Sequence, residues 1–106
     1  MTGTLHRVGT GGNRRWVYEG ITAFVATGTT VEIPIPDDIG TITSYSLTPI
    51  GATAAANGQL SIDETTAVDG DGKTVIPVVA NSVTANRIAG TDSGLKFSYI
   101  IWGRGG

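Results

Sequence analysis

The sequence predicts an all-β domain, an antiparallel β-sandwich of about seven or eight short strands. Runs of β-branched and aromatic residues recur along the chain, and turn residues separate them at a spacing of roughly 8–12 residues. No segment keeps the 3.6-residue apolar period of a helix for more than one turn. The pattern is compatible with both a jelly-roll-like and an immunoglobulin-like strand order.

The N-terminal segment differs in character from the rest of the chain. Residues 1–13 are rich in Gly and Thr and have no apolar period, so they predict an arm that is either flexible or packed against another chain. Residues 14–106 form the single predicted sandwich domain. Its first two strands are expected in RRWVYEG and ITAFVAT, which meet at Gly20.

A regular alternation marks the next strand, TTVEIPIP. Val31, Ile33 and Ile35 fall on one face of this segment. Pro34 and Pro36 have no N–H to donate to a neighbouring strand, so we expect an edge strand. Further strands are expected in TITSYSLTPI, QLSID, TVIPVVA and SVTANRIAG.

The last predicted strand, LKFSYIIWG, is apolar on both faces. Its core face is expected to hold Leu95, Phe97, Tyr99 and Ile101. Ile100 and Trp102 fall on the opposite face, which in a two-layer sandwich should be polar. An apolar patch in such a place predicts an interface with another chain.

Composition narrows the function classes. Hydrophobic residues make up 40% of the 106 residues and charged residues 15%, against roughly 25% charged in an average globular protein. The chain has no Cys, so a small core lacks disulfides, and burial against other copies is a common way to stabilise such a domain. A net charge of −2 gives no electrostatic footprint for nucleic acid. No apolar run approaches the roughly 18–20 residues of a membrane span, and the N-terminus lacks the apolar region of a secretory signal.

Few residues have the chemistry of a catalytic or metal site. His6 is the single histidine and lies in the predicted arm, where fixed catalytic geometry is hard to maintain, so we expect no enzyme and no cofactor. The segment DGDGKT resembles the start of a calcium loop, but Lys73 stands where an acid or Asn is needed. Asp-Gly pairs favour a hairpin turn, and the sequence leaves open whether the Asp69–Asp71 turn also binds a cation.

The Gly/Thr-rich arm, the strand TTVEIPIP and the strand KFSYIIWG, with no Cys and one His, resemble small structural proteins of tailed bacteriophages. These are head decoration proteins and the β-sandwich modules of tails and fibres. The resemblance implies an inert virion protein that forms a homo-oligomer, often a trimer. It also implies binding to the major capsid protein or to neighbouring virion proteins.

We therefore expect a capsid decoration protein that stabilises the head lattice through interchain β and arm contacts. The alternative is a tail or fibre module that binds a host receptor or glycan, with Trp16, Tyr45 or Trp102 as stacking platforms. The predicted interface residues are Leu5, Val8, Trp16, Ile100 and Trp102.

Overall fold

The computed structural model describes residues 3–8, 15–53, 58–88 and 92–105. The strands in these ranges are β1 (Thr4–Val8), β2 (Arg15–Ala23), β3 (Thr30–Pro34), β4 (Thr41–Ile50), β5 (Leu60–Ile62), β6 (Ala67–Val68), β7 (Thr74–Pro77), β8 (Ser82–Arg87) and β9 (Lys96–Arg104). Within the described ranges, no helix has the length and apolar character that crossing a lipid bilayer requires.

The strands form two antiparallel sheets. The large sheet has the order β1-β2-β9-β4-β7-β6, and the small sheet has the order β3-β8-β5. All strand pairs are antiparallel. The predicted all-β fold is confirmed, and the two sheets are compatible with a β-sandwich.

The core lies between the sheets, and β9 supplies its centre. Phe97, Tyr99 and Ile101 are at most 2% exposed, as the alternation in the sequence predicted. They belong to one apolar cluster with Ile33 of β3 and Val83 of β8. Because β9 pairs with both β2 and β4, the last predicted strand occupies an interior position of the large sheet.

The predicted edge position of β3 is also confirmed. In the described part of the chain, β3 pairs with β8 alone, and its last residue is Pro34. Ile33 and Ile35 are buried, whereas Glu32 is exposed. Missing N–H groups at the prolines cost little here because an edge strand has no second neighbour.

Two sequence-based boundaries need correction. Thr4–Val8, expected within an arm, pairs residue by residue with β2 and forms β1 of the large sheet. The expected break at Gly20 is absent, because Gly20 continues β2 opposite Tyr99. A Cβ atom at Gly20 would lie 2.5 Å from the Tyr99 hydroxyl oxygen, so the glycine makes room for that ring rather than ending the strand.

One charged side chain is fully buried at the end of the small sheet. Arg87, 1% exposed, donates hydrogen bonds to the backbone carbonyls of Ala26, Gly28 and Asp92. These carbonyls belong to the connections after β2 and before β9. The arginine therefore holds two connecting segments against the core.

Candidate assembly surface

The outer face of the large sheet, which is the side turned away from the small sheet, carries apolar side chains at its centre. Trp102 of β9 lies between Val17 of β2 and Ser44 of β4, and Ile100 lies one step further along the same face. Trp102 is 37% exposed, although it is one of the largest apolar side chains in the chain. We define the apolar patch as Val17, Ile21, Ile50, Ile100 and Trp102.

Polar residues lie within this patch as well as around it. On the same face, Glu19 lies between Val17 and Ile21, Ser98 pairs with Ile21, and Lys96 pairs with Ile50. Glu19 pairs with Ile100 in the β2–β9 register, and its carboxylate Oε1 lies 3.6 Å from Nε2 of His6 on β1. On the other side, Ser44 and Ser46 of β4 stand opposite the two apolar residues of β9. Such a mixture of apolar and polar residues is compatible with a non-obligate protein–protein interface, in which only a little more than half of the area is non-polar.

The structure does not bring the five predicted interface residues together. Ile100 and Trp102 share the outer face, as predicted. Leu5 pairs with Tyr18, and Trp16 pairs with Gly103, so both lie on the opposite, inner face.

Leu5 and Trp16 are partly buried and pack against the domain's own core, and their role at an interface stays a prediction. The period of two in a strand places them on the face opposite to that of Val17. Val8 ends β1 opposite Arg15 in the register.

Three residues of the apolar patch were not recognised from the sequence. Val17 and Ile21 lie on β2, and Ile50 ends β4. Ile21 and Ile50 are 44% and 47% exposed. Alternation in RWVYEGITA places Val17 and Ile21 on one face. The strand break expected at Gly20 assigned the two residues to different strands, so the sequence did not indicate that they share a face.

An open depression lies beside Trp102. Its volume is about 360 Å³, and a β-bulge between Ile42 and Ser44 adjoins it on β4. The hydroxyl of Thr43, the residue within the bulge, donates a hydrogen bond of 3.2 Å to the Trp102 carbonyl. The lining residues are Arg15, Trp16, Val17, Thr43, Ser44, Trp102 and Gly103.

The DGDGKT segment forms the predicted hairpin turn. Oδ1 of Asp69 accepts the backbone N–H groups of Asp71 and Lys73 at 2.8 and 2.9 Å, and Gly72 has a φ of 77°. The hydrogen bond from Lys73 is the main cause that lowers the pKa of Asp69. Among the described residues, no group of three or more His, Cys, Asp or Glu side chains is placed to hold a metal ion. The carboxylate thus organises the turn.

No family model, curated protein or solved structure matches this chain.

Proposed function

We propose that this protein is a non-enzymatic structural component of a bacteriophage virion, a head decoration protein that binds the capsid lattice. In this proposal, the outer face of the large sheet docks on the major capsid protein or on a neighbouring virion protein. The apolar patch around Trp102 is the observation that carries the proposal. In a two-layer sandwich an outer face meets water, and apolar residues grouped there favour a partner.

The size of the outer face fits such a role. The six strands of the large sheet contain 39 residues, and each residue covers about 3.3 by 4.8 Å of its face. Their projected area is on the order of 600 Å², and side-chain relief adds to it. A specific interface buries about 800 Å² on each partner, so one sheet face is close to sufficient.

Repetition over a lattice strengthens weak contacts. When several copies are joined, each further contact forms at a high effective concentration, and modest single interfaces then give stable attachment. The proposal therefore includes homo-oligomerisation of the chain as well as docking. It places the protein in the virion and assigns it no reaction and no cofactor.

The test uses particles that lack the chain after deletion of its gene. Purified protein is mixed with these particles and sedimented, and the wild type should sediment with them. Trp102→Ser should lose most of this binding, since a central aromatic contact typically contributes 2 kcal/mol or more, about thirtyfold in affinity. Val79→Ser is the matched control, because Val79 is 73% exposed in the β7–β8 turn, away from the patch.

The outcome that would overturn the proposal is a wild-type chain that stays in the supernatant. If Trp102→Ser binds the particles as well as the wild type does, the face around Trp102 is not the binding surface. Folding of each variant is checked by its thermal unfolding midpoint. Val79→Ser should change it little, whereas Trp102→Ser, whose indole is 37% exposed, should lower it while the variant stays folded at the temperature of the assay.

The depression beside Trp102 favours a second candidate, a tail or fibre module that binds a receptor glycan. An exposed indole ring next to the hydroxyls of Thr43 and Ser44 combines a stacking surface with polar partners. A glycan array distinguishes this candidate from lattice binding. Glycan binding that Trp102→Ser abolishes, with no sedimentation on particles, would replace the first proposal by the second.

A further inference from the structure

The four edge strands of the two sheets are protected to different degrees. β6 has two residues and β5 has three, too short to pair with another chain over any length. β3 carries Glu32 and ends at Pro34. A short length, a charged side chain and proline are three ways in which proteins prevent edge-to-edge association.

β1 has only one of these three protections, the charged side chain of Arg7. It runs for five residues, TLHRV, with no proline and no acidic residue. It pairs with β2 on one side, and no described strand pairs with its other side. Every second residue of such a strand directs its N–H and C=O groups outward, where a second strand can bind them.

We propose that β1 is the self-association edge of this protein, and that it pairs antiparallel with β1 of a second copy. The two-fold axis passes through His6, which faces His6 of the second copy. This inference rests on the proposed function in one respect, since it names how copies are joined on the lattice.

The strand is complementary to itself in this register. Thr4 faces Val8, and Leu5 faces Arg7, so all five residues are paired and Arg7 never faces Arg7. Moving the axis to Arg7 would place two like charges directly opposite each other, which is unfavourable, and would leave only three residues paired. A two-fold pair of this kind is isologous, so it closes as a dimer.

The same pairing favours a second copy of this chain, rather than a peptide, as the strand that binds the β1 edge. Residues directly opposite in an antiparallel pair share a face. The two outer faces then lie on the same side of one continuous twelve-stranded sheet, each with its own Trp102. A dimer with two copies of the patch on one side gains the avidity that lattice binding needs, which a bound peptide would not provide.

Cysteine scanning tests the register directly. The chain has no Cys, so a disulfide in a single-Cys variant joins two copies. Opposite residues in antiparallel strands lie about 4.5–5.5 Å apart between Cα atoms, within the range of about 4.4–6.8 Å that a disulfide spans. His6→Cys should become a covalent dimer under mild oxidation. The control is Glu32→Cys, an exposed position on the other sheet's edge strand, which should stay largely monomeric.

A mixing experiment defines the axis. Thr4→Cys and Val8→Cys should each cross-link poorly alone, and a mixture of the two should give the covalent dimer. Sedimentation equilibrium of the wild type should show twice the monomer mass. A trimer, as the resemblance to decoration proteins implied, or cross-linking of His6→Cys no faster than that of Glu32→Cys, would overturn the edge pairing.

The two proposals fail separately. If His6→Cys does not cross-link while Trp102-dependent sedimentation on particles holds, the edge pairing is wrong and the proposed function stands. If His6→Cys cross-links in the predicted register and the wild type does not bind particles, the edge pairing stands and the decoration role is wrong.

Discussion

The guanidinium of Arg87 lies over the ring of Phe24, with its central carbon 4.5 Å from the ring centroid. Its nitrogens donate to three backbone carbonyls at 2.7 to 3.2 Å, and a carboxylate is not among these three acceptors. A buried charge is costly unless hydrogen bonds replace its water. The carbonyl groups and the ring face provide that replacement, and Arg87 in turn keeps those carbonyls satisfied.

Replacing Arg87 by Met should destabilise the protein by about 3 kcal/mol. Met retains much of the apolar volume but removes three hydrogen bonds from a charged donor, and each such bond contributes roughly 1.5–3 kcal/mol before relaxation. Arg87→Lys should cost less, since the ammonium keeps the charge and part of the bonding. Urea unfolding measures both variants, and a Met variant as stable as the wild type would contradict the assigned role.

Sequence alternation gives the position of Arg87 but not its environment. In SVTANRIAG the residues Val83, Ala85 and Arg87 share one face, and the first two are core residues. A charged third member suggests that the core ends there. What keeps Arg87 inside is a set of carbonyls from two distant connections, and no local pattern in the sequence encodes how those connections approach each other.

A Gly103→Ala substitution should destabilise the sandwich by about 1–3 kcal/mol. A Cβ atom at Gly103 would lie 2.5 Å from Cγ2 of Ile39 and 2.6 Å from the carbonyl oxygen of Thr41. The second neighbour is backbone, which cannot rotate away. Gly70→Ala is the matched control, because no atom lies within 4 Å of its added Cβ. Thermal unfolding should separate the two variants, and equal midpoints would show that β4 and β9 can move apart.

Asp69, in the hairpin turn between β6 and β7, should make a pH-dependent contribution to the free energy of unfolding. Hydrogen bonds from backbone N–H groups lower the folded-state pKa of Asp69 from its usual value of 3.8. Its ionised form therefore stabilises the fold above pH 3.8, and this contribution disappears as the pH falls through the lowered pKa. Asp69→Asn should unfold at a lower temperature than the wild type at neutral pH, and the two should converge in strong acid. A difference that stays constant with pH would exclude the charge as its cause.

The outer face shows a similar division between what the sequence predicts and what it leaves open. The alternation of KFSYIIWG identified Ile100 and Trp102, because one strand's faces depend only on a period of two. Which residues of other strands join them depends on strand order and register. Val17 belongs to the apolar patch because β2 pairs with β9 and places it opposite Trp102. The two residues are far apart in the sequence, and alternation alone does not specify such a pairing.

The buried tyrosine pair gives a prediction in alkali. The rings of Tyr18 and Tyr99 lie 5.6 Å apart between centroids, and the hydroxyl of Tyr18 accepts the backbone N–H of Gly3 at 2.9 Å. Burial raises the pKa of Tyr99 well above its usual 10.0, and a hydrogen bond with Tyr18 raises it further. The folded state therefore holds the phenolic proton more tightly than the unfolded state does.

The resulting stability is complete below pH 10.0 and is lost as the pH rises toward the folded-state pKa. Between about pH 9 and about pH 11, the wild type should lose more unfolding free energy than Tyr99→Phe, because the unfolded chain releases a proton in this range that the folded chain keeps. Urea unfolding at the two pH values gives the difference, and parallel losses in both proteins would show that Tyr99 ionises in the folded state as readily as in the unfolded chain.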